Sequence, residues 1–238
     1  MFSARFGLLR LAGLCLLTAL AGCRPGPTPA ASGTVTDDAG VAVTLPAPPR
    51  RVVSLIPAAT ELLFALGEGG RLVGRTTWCD WPAEAARVPD LGNGIDPSIE
   101  AVLGANPDLV LLYRSGSNRA AAERLRGLGV PVLELDFNSL ADFRRITRLV
   151  GSVLGAARSA DSLLAAFDRA LEAAAPAPAA APPTVFILVW DRPPITLGRG
   201  SFLSEIVALA GARNVFDDRA APSGPVSIEA VARRDPDL

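Results

Sequence analysis

The sequence contains no histidine, and each of its 23 basic residues is an arginine. Histidine is the commonest general base and the commonest metal ligand in proteins, so its absence excludes serine–histidine–aspartate triads and histidine-based zinc sites. The sequence also has neither a phosphate-binding P-loop nor a nucleophile elbow. We therefore expect a protein that is not an enzyme and that holds no metal ion and no cofactor of its own.

Cysteine is scarce, and charge of either sign is nearly balanced. The chain has 3 cysteines and a formal net charge of −1, and no basic stripe with interleaved aromatic residues is present. Nucleic-acid binding is therefore not expected. Cys79 is the only cysteine in the part that we expect to fold, which excludes an internal disulfide. We interpret it as a buried apolar thiol, the alternative being a partner beyond the present C-terminus.

The first residues have the features of an export signal. Arg5 and Arg10 precede an apolar run at 11–20, which is too short for a bilayer span of roughly 20 residues. The run leads into LAGC at 20–23, which is similar to the lipobox whose cysteine is acylated in bacterial lipoproteins. We predict a lipoprotein signal peptide at 1–22 and a membrane anchor on lipidated Cys23, at the periplasmic or extracytoplasmic face. The alternative is an ordinary cleaved signal with an incidental cysteine.

Strands and helices alternate after a tether at 23–33, which is rich in proline and alanine and is expected to be disordered. A hairpin is predicted at 34–45, where apolar and polar residues alternate around Asp38-Ala39-Gly40. Strands that alternate with helices indicate βαβ crossovers and a parallel sheet. The predicted strands are 51–56, 72–76, 109–113 and 132–135, and the predicted helices are 58–66, 98–105 and 118–128.

Two amphipathic helices follow this first α/β pattern. They are predicted at 139–155, opened by a capping box of Ser139 and Asp142, and at 159–175. The segment PAPAAAPP at 176–183 ends the second helix, and a strand at 184–190 begins a new α/β pattern. The fold class is therefore α/β in two lobes. The predicted divisions are an N-terminal lobe at 34–155, a bridging helix and proline–alanine linker at 156–183, and a C-terminal lobe at 184–238.

The two lobes are related by an internal repeat. SIEAVLGANPDL at 98–109 recurs as SIEAVARRDPDL at 227–238, with eight of twelve positions identical. The first copy continues into a strand, whereas the second ends at Leu238. By this comparison the second lobe would need roughly 40 to 50 further residues to match the first. We accordingly expect an incomplete second sheet with an unpaired edge.

The few large aromatic residues fall at comparable places in this pattern. Trp78 and Trp81 follow the strand predicted at 72–76, and Tyr113 and Trp190 end the strands that contain them. Ligands of open α/β sheets bind at the carboxyl ends of the strands, where aromatic rings suit a broad, flat or amide-rimmed ligand. The alternative is that the rings cover the hydrophobic cores of their own lobes. For the four residues as a set, we favour a binding cleft.

Glu100 and Glu229 occupy equivalent positions in the two copies of the repeat, each in the first turn of a predicted helix. The positive end of a helix stabilises such a carboxylate by about 0.3–1 kcal/mol, which accounts for either residue alone. One carboxylate on each lobe would also form a symmetrical pair suited to arginines on a dimeric partner. We favour this docking interpretation.

Several segments resemble those of the helical-backbone, or class III, periplasmic binding proteins of ABC importers. They are RVVSLIPAATELLFALG at 51–67, CDWP at 79–82, the two SIEAV copies with their PDL endings, and the strand ending at Trp190. The resemblance covers about residues 34–238. It implies two α/β lobes with central parallel sheets, bridged by one long rigid helix. It also implies a monomer that passes a small-molecule ligand to an ABC transporter permease dimer with its ATPase subunits.

Within this class the pattern looks most similar to the cobalamin-binding members. The shared features are the strand-Pro-Ala-x-Thr-Glu opening, the Asp-aromatic-Pro segment, the Tyr113-Arg114 pair and the aromatic-x-x-Pro-Pro run at 190–194. The resemblance implies cobalamin or a related corrinoid as the ligand, and it assigns permease docking to Glu100 and Glu229. The residues that it places at the ligand are Pro57, Trp78, Trp81, Tyr113, Arg114 and Trp190.

Two departures from that pattern leave other ligands open. Asn93-Gly94 and Ser223-Gly224 stand where relatives often have a cleft aromatic. The alternative ligand is a ferric siderophore or haem, and Tyr113 is the only tyrosine that could bind haem iron. An enzyme or cofactor-binding domain is a third hypothesis, which the absences described above disfavour. An anionic siderophore would suit the arginines near the same edge, which are Arg75, Arg114 and Arg192.

Overall fold

A computed structural model describes residues 33–174 and 181–238. The predicted signal peptide, the predicted lipidation site Cys23, the tether up to residue 32 and the linker at 175–180 lie outside the described residues. The first lobe begins with the predicted hairpin, in which β1 (Gly33–Thr36) pairs antiparallel with β2 (Ala42–Leu45). Gly40 adopts a φ of 77° in its turn, a conformation that glycine takes without a steric penalty.

A four-stranded parallel sheet forms the centre of the first lobe, which confirms the predicted βαβ pattern. The strand order is β4-β3-β5-β6, so the chain winds outward from β3 in both directions. The carboxyl ends of all four strands therefore lie at one edge. In chain order the elements are β3 (Val52–Ser54), α1 (Pro57–Ala65), β4 (Leu72–Arg75), α2 (Ile99–Gly104), β5 (Leu109–Tyr113), α3 (Arg119–Gly127) and β6 (Val132–Leu135).

Two long helices, α4 (Leu140–Val153) and α5 (Ala157–Ala174), follow the sheet and run antiparallel. The predicted capping box is confirmed, since Ser139 Oγ accepts from Asp142 N at 3.0 Å and Asp142 Oδ2 accepts from Ser139 N at 3.1 Å. At the far ends of the pair, the rings of Phe143 and Phe167 lie 4.7 Å apart. The 18 residues of α5 extend about 27 Å.

Both faces of the parallel sheet are covered. In β5, Leu109 and Leu111 pack into one core cluster with residues of α1, α4 and α5. Val110 and Leu112 pack into a second cluster with residues of α2 and α3. This period-two alternation explains why LVLLY is apolar at every position, since a strand buried on both faces has no solvent side.

The hairpin is fastened to the edge of the sheet by a buried charge cluster. Arg126 Nη2 lies 2.6 Å from Asp37 Oδ2, and Arg126 Nη1 lies 2.9 Å from Glu134 Oε2. The backbone N–H of Asp38 also donates to the carbonyl of Glu134, at 2.9 Å. The turn of the hairpin therefore covers the edge strand β6.

The second lobe corrects one strand prediction. The strand expected at 184–190 is interrupted at Phe186 and Ile187, so its first part pairs parallel with β10 and its second part belongs to an antiparallel sheet of order β11-β9-β8. The reason is the Arg192-Pro193 turn, which folds the chain back as a hairpin. The elements are β7 (Thr184–Val185), β8 (Leu188–Asp191), β9 (Pro194–Leu197), α6 (Phe202–Leu209), β10 (Arg213–Asn214), β11 (Ser223–Pro225) and α7 (Ile228–Arg234).

The internal repeat is reproduced in backbone detail. Ser98 caps α2 and Ser227 caps α7, each hydroxyl accepting a backbone N–H at 3.2 Å. A residue with positive φ follows each helix, Asn106 at 46° after α2 and Asp235 at 44° after α7. The aspartate of each PDL then accepts a backbone hydrogen bond at the start of the first parallel strand of its lobe, which is β3 in one lobe and β7 in the other. Asp108 accepts from Arg51 N at 2.9 Å, and Asp237 accepts from Thr184 N at 2.8 Å.

The two lobes are in direct contact next to the first turn of α4. The backbone N–H of Phe202, the first residue of α6, donates to the carbonyl oxygen of Asn138 at 2.5 Å. Both α4 and α5 pack on the core of the first lobe through their buried residues. The connection between the lobes therefore involves α4 as well as α5.

Candidate functional site

A cavity of about 380 Å³, here called the apolar cavity, opens at the carboxyl ends of β3, β4 and β5. Open α/β sheets bind their ligands at this edge, because the loops that follow the strands diverge there. None of its lining residues carries a charge. They are Leu55, Ile56, Pro57, Thr76, Trp78, Gly94, Ile95, Tyr113, Ser115, Ser117 and Asn118.

Three of the six predicted ligand residues are brought together in this cavity. Pro57 is the first residue of α1, directly beyond β3, where its fixed φ suits a helix start. Trp78 lies three residues beyond β4, and Tyr113 is the last residue of β5. Trp78 is 65% exposed, so most of this ring is available to a ligand.

The loop that carries Trp78 is held by a buried thiol and two hydroxyl groups. Cys79 is 1% exposed, as the sequence predicts, but its contacts are polar. Thr60 Oγ1 donates to Cys79 Sγ at 3.2 Å, and Thr76 Oγ1 lies 3.2 Å from the same sulfur. Thr76 Oγ1 also accepts from Trp78 N at 3.3 Å. Cys79 therefore helps to position the tryptophan.

Tyr113 is half-buried and hydrogen-bonded. Its hydroxyl donates to Asn138 Oδ1 at 2.7 Å. Burial, and next the negative charge of Asp136, raise the pKa of the Tyr113 phenol above its ordinary value. The phenol is therefore neutral at physiological pH and acts here as a hydrogen-bond donor.

A second cavity of about 570 Å³, here called the charged cavity, adjoins the first at Tyr113 and Ser115. Its wall includes residues of both lobes, since Pro222 and Ser223 of the second lobe line it. The predicted ligand residue Arg114 lies in this cavity and not in the apolar one. The guanidinium is held by Asp136, with 2.7 Å from Nε to Oδ2.

Trp81 and Trp190 line neither of these two cavities. Trp81 is 65% exposed and lies beyond the buried Cys79. Trp190 is 61% exposed, and its Nε1 donates to the carbonyl of Arg192 at 3.0 Å. Because the strand is interrupted after Val185, Trp190 belongs to the β8–β9 hairpin and does not end a strand of the parallel pair. The roles of Trp81 and Trp190 at the ligand stay predictions.

Glu100 and Glu229 lie at matching places on the two lobes, as the repeat predicts. Each is the second residue of its helix and is exposed to solvent. A hydrogen bond from its own backbone N–H, and next one from Ser227, lower the pKa of Glu229. Its carboxylate is therefore charged at neutral pH and free to meet a cationic partner group.

The sequence reasoning missed the polar residues of the cavity wall. Asn118 is 2% exposed, and its Nδ2 donates to the carbonyls of Gly94 and Tyr113 at 3.1 and 3.0 Å. The run Ser115-Gly116-Ser117-Asn118 directly after a buried strand was the available signal. A Cβ at Gly94 would collide with the carbonyl oxygen of Leu55, which explains why no aromatic stands there. The neighbouring Ile95, 69% exposed, lines the cavity instead.

Residues 33–174 and 181–238 contain neither a membrane-spanning helix nor a cluster of metal-binding side chains. No helix of this part has the length and apolar character needed to cross a membrane. No group of three or more histidine, cysteine, aspartate or glutamate side chains in the same part could hold a metal ion.

Comparison with known proteins agrees with this architecture. A vitamin B12-binding protein of Pectobacterium atrosepticum is 32% identical over 194 residues, which cover 79% of this chain and 70% of that protein. An uncharacterised ABC transporter substrate-binding lipoprotein of Bacillus subtilis is 31% identical over 214 residues, covering 86% of this chain and 67% of that protein. A periplasmic haem-binding protein of Roseiflexus sp. has a similar structure, with a TM-score of 0.69, 27% identity, and coverage of 79% and 74%.

The match to a protein family extends over most of the described chain. Residues 52–238 match the periplasmic binding proteins, which places both lobes and the helices between them in a single family. The relatives named above are substrate-binding proteins and not enzymes. The chain belongs to the periplasmic binding protein family, the extracytoplasmic substrate-binding components of ABC transporters.

Proposed function

We propose that this protein captures cobalamin or a related corrinoid between its lobes and delivers it to an ABC transporter permease. The observation that carries the proposal is the uncharged apolar cavity with the Trp78 and Tyr113 rings in its wall. A corrin is a broad ring system with carboxamides at its rim, and it needs aromatic and apolar contact without a compensating charge. The cavity receives one part of such a ligand, and the adjoining charged cavity between the lobes receives its polar rim.

The pairing of the three arginines that the sequence offers to an anionic siderophore favours a corrinoid. Arg114 is paired with Asp136, and Arg192 lies 3.2 Å from Asp191. Arg75 donates to the carbonyl of Ala85 at 2.9 Å and lies 3.6 Å from Asp90. An anionic ligand would have to compete with these carboxylates, because each guanidinium already has a negative partner.

The state of Tyr113 favours a corrinoid over haem. Tyrosine binds haem iron as a phenolate. The Tyr113 hydroxyl donates a hydrogen bond to Asn138, and burial raises the pKa of the phenol. Forming the phenolate would therefore break this hydrogen bond and place a negative charge in a partly buried site. The vitamin B12-binding relative of Pectobacterium atrosepticum supports the corrinoid, whereas the haem-binding relative of Roseiflexus keeps haem as the second candidate.

Anchoring and delivery complete the proposal. Cys23 carries the lipid, which agrees with the name of the Bacillus subtilis relative as a lipoprotein. Glu100 and Glu229 then dock the loaded protein on arginines of the permease dimer, one carboxylate for each half. Their equivalent helix positions and solvent exposure support this role.

The ligand is tested by titrating the full chain, purified in detergent, with cyanocobalamin, haem and a ferric siderophore while tryptophan fluorescence is recorded. Quenching by cyanocobalamin at lower concentration than by the other two supports the proposal. Saturable quenching by the siderophore or haem alone contradicts it.

A further inference from the structure

The side chain of Asn118 has one hydrogen-bonding atom without a partner in the part of the chain that the structure describes. Its Nδ2 group donates to two backbone carbonyls, of Gly94 and Tyr113. The opposite amide orientation would point an oxygen at both carbonyls, so these contacts fix which atom is the oxygen. That oxygen, Oδ1, is buried and has no hydrogen-bond partner among residues 33–174 and 181–238.

Asn118 is one of the residues that line the apolar cavity. The residue is 98% buried in the wall of the cavity, next to Ser117 and beyond the end of β5. No charged side chain shares that wall. A buried acceptor in uncharged surroundings favours a group that brings an N–H or O–H and disfavours a carboxylate, because two acceptors repel each other at close range.

We propose that Asn118 is a specificity-determining residue whose Oδ1 accepts a hydrogen bond from a carboxamide N–H of the ligand. The inference rests on the proposed function and deepens it, since it names the ligand group that the cavity recognises. Corrinoids carry carboxamides at the ring periphery, whereas haem carries carboxylates. The same contact that orients a corrinoid would therefore reject a macrocycle whose rim is anionic.

The test compares cyanocobalamin with its isomeric monocarboxylic acids, in each of which one propionamide is hydrolysed. The affinity of the full chain for each is measured by tryptophan fluorescence. We expect one isomer to bind at least about tenfold more weakly than the parent compound, and the others to bind within about threefold. In Asn118→Leu the difference between that isomer and the parent should disappear, while Leu128→Ala, which changes an exposed residue outside both cavities, should keep it.

The outcomes separate this inference from the proposed function. If cyanocobalamin itself does not bind, the proposed function is wrong and the inference falls with it. If cyanocobalamin binds and every monocarboxylic acid binds equally well, only the role of Asn118 is wrong. A purely structural role predicts that Asn118→Leu weakens parent and acid by the same factor, which also contradicts the inference. Equal binding of all the acids by the wild-type protein contradicts the inference even where the variant does not fold.

Discussion

The carboxylate of Glu205 accepts a hydrogen bond from the backbone N–H of Leu140, with 2.7 Å between Oε2 and the nitrogen. Glu205 belongs to α6 of the second lobe, and Leu140 is the first residue of α4. The amino ends of the two helices meet at this point, and their positive ends would repel each other without a negative group between them. Glu205 therefore links the lobes and stabilises their relative orientation.

Replacing Glu205 with alanine should loosen this junction. The contact resembles a helix cap, so its loss should lower the free energy of unfolding by about 0.5–2 kcal/mol. Hydrogen exchange should show faster exchange of the Leu140 amide. Glu205→Gln keeps a carbonyl oxygen and should recover part of the protection, and Glu172→Ala on the exposed side of α5 serves as the control. Unchanged exchange at Leu140 in Glu205→Ala would refute the linking role.

Replacing Arg126 should lower the free energy of unfolding strongly. Its guanidinium neutralises Asp37 and Glu134, whose side chains are 0% and 5% exposed. Arg126→Met would leave two carboxylates buried without their partner, which should cost about 3–5 kcal/mol in urea unfolding. Arg124→Met, exposed on the same helix, should change the stability by less than about 0.5 kcal/mol. If the two substitutions lower the free energy of unfolding equally, the ion pairs of Arg126 with Asp37 and Glu134 do not stabilise the lobe.

Trp78 should contribute most of the aromatic contact in the apolar cavity. Trp78→Ala should weaken cyanocobalamin binding at least about tenfold, or about 1.4 kcal/mol, because the exposed ring is lost as a stacking surface. Leu128→Ala removes an exposed apolar side chain at the end of α3 and should leave the affinity unchanged. The comparison is made by calorimetric titration, and a Trp78→Ala affinity equal to wild type would rule out stacking on this ring.

Ionisation of the Tyr113 phenol should lower the free energy of unfolding at high pH. Because the folded-state pKa is raised, the contribution of the neutral phenol is fully present below the unfolded value near 10 and is lost as the pH rises through the folded value. Wild type should therefore lose stability above about pH 10 more steeply than Tyr113→Phe. Tyr113 is the single tyrosine, so tyrosinate absorbance reports its titration directly. If the free energy of unfolding depends on pH in the same way in both proteins, the pKa of Tyr113 is not raised in the folded state.

The two docking carboxylates should matter for transport and not for ligand affinity. Glu100→Ala combined with Glu229→Ala should leave cyanocobalamin affinity unchanged, because neither residue lines either cavity. Uptake by cells that carry the cognate permease should be abolished. Glu84→Ala with Glu172→Ala, which removes two other exposed carboxylates, provides the control. A loss of affinity in the first double variant would assign the glutamates to the ligand site.

Periodicity and caps made the first lobe predictable. The strand LVLLY and the Ser139 capping box are local signals, and both are found where the sequence places them. The course of the chain around Trp190 was not predictable, because pairing in a hairpin depends on the partner strand β9 and on the turn at Arg192-Pro193. Asn118 was missed for a similar reason. Its role depends on Gly94, which approaches only in the folded sheet edge.

The most direct test of the central claim is a crystal structure of the protein grown with cyanocobalamin and haem at equal concentration. We expect electron density for the corrin ring against Trp78 and Tyr113 in the apolar cavity, with its amide rim toward the second lobe. Haem iron bonded to the Tyr113 oxygen, or a corrin bound away from this cavity, would contradict the account.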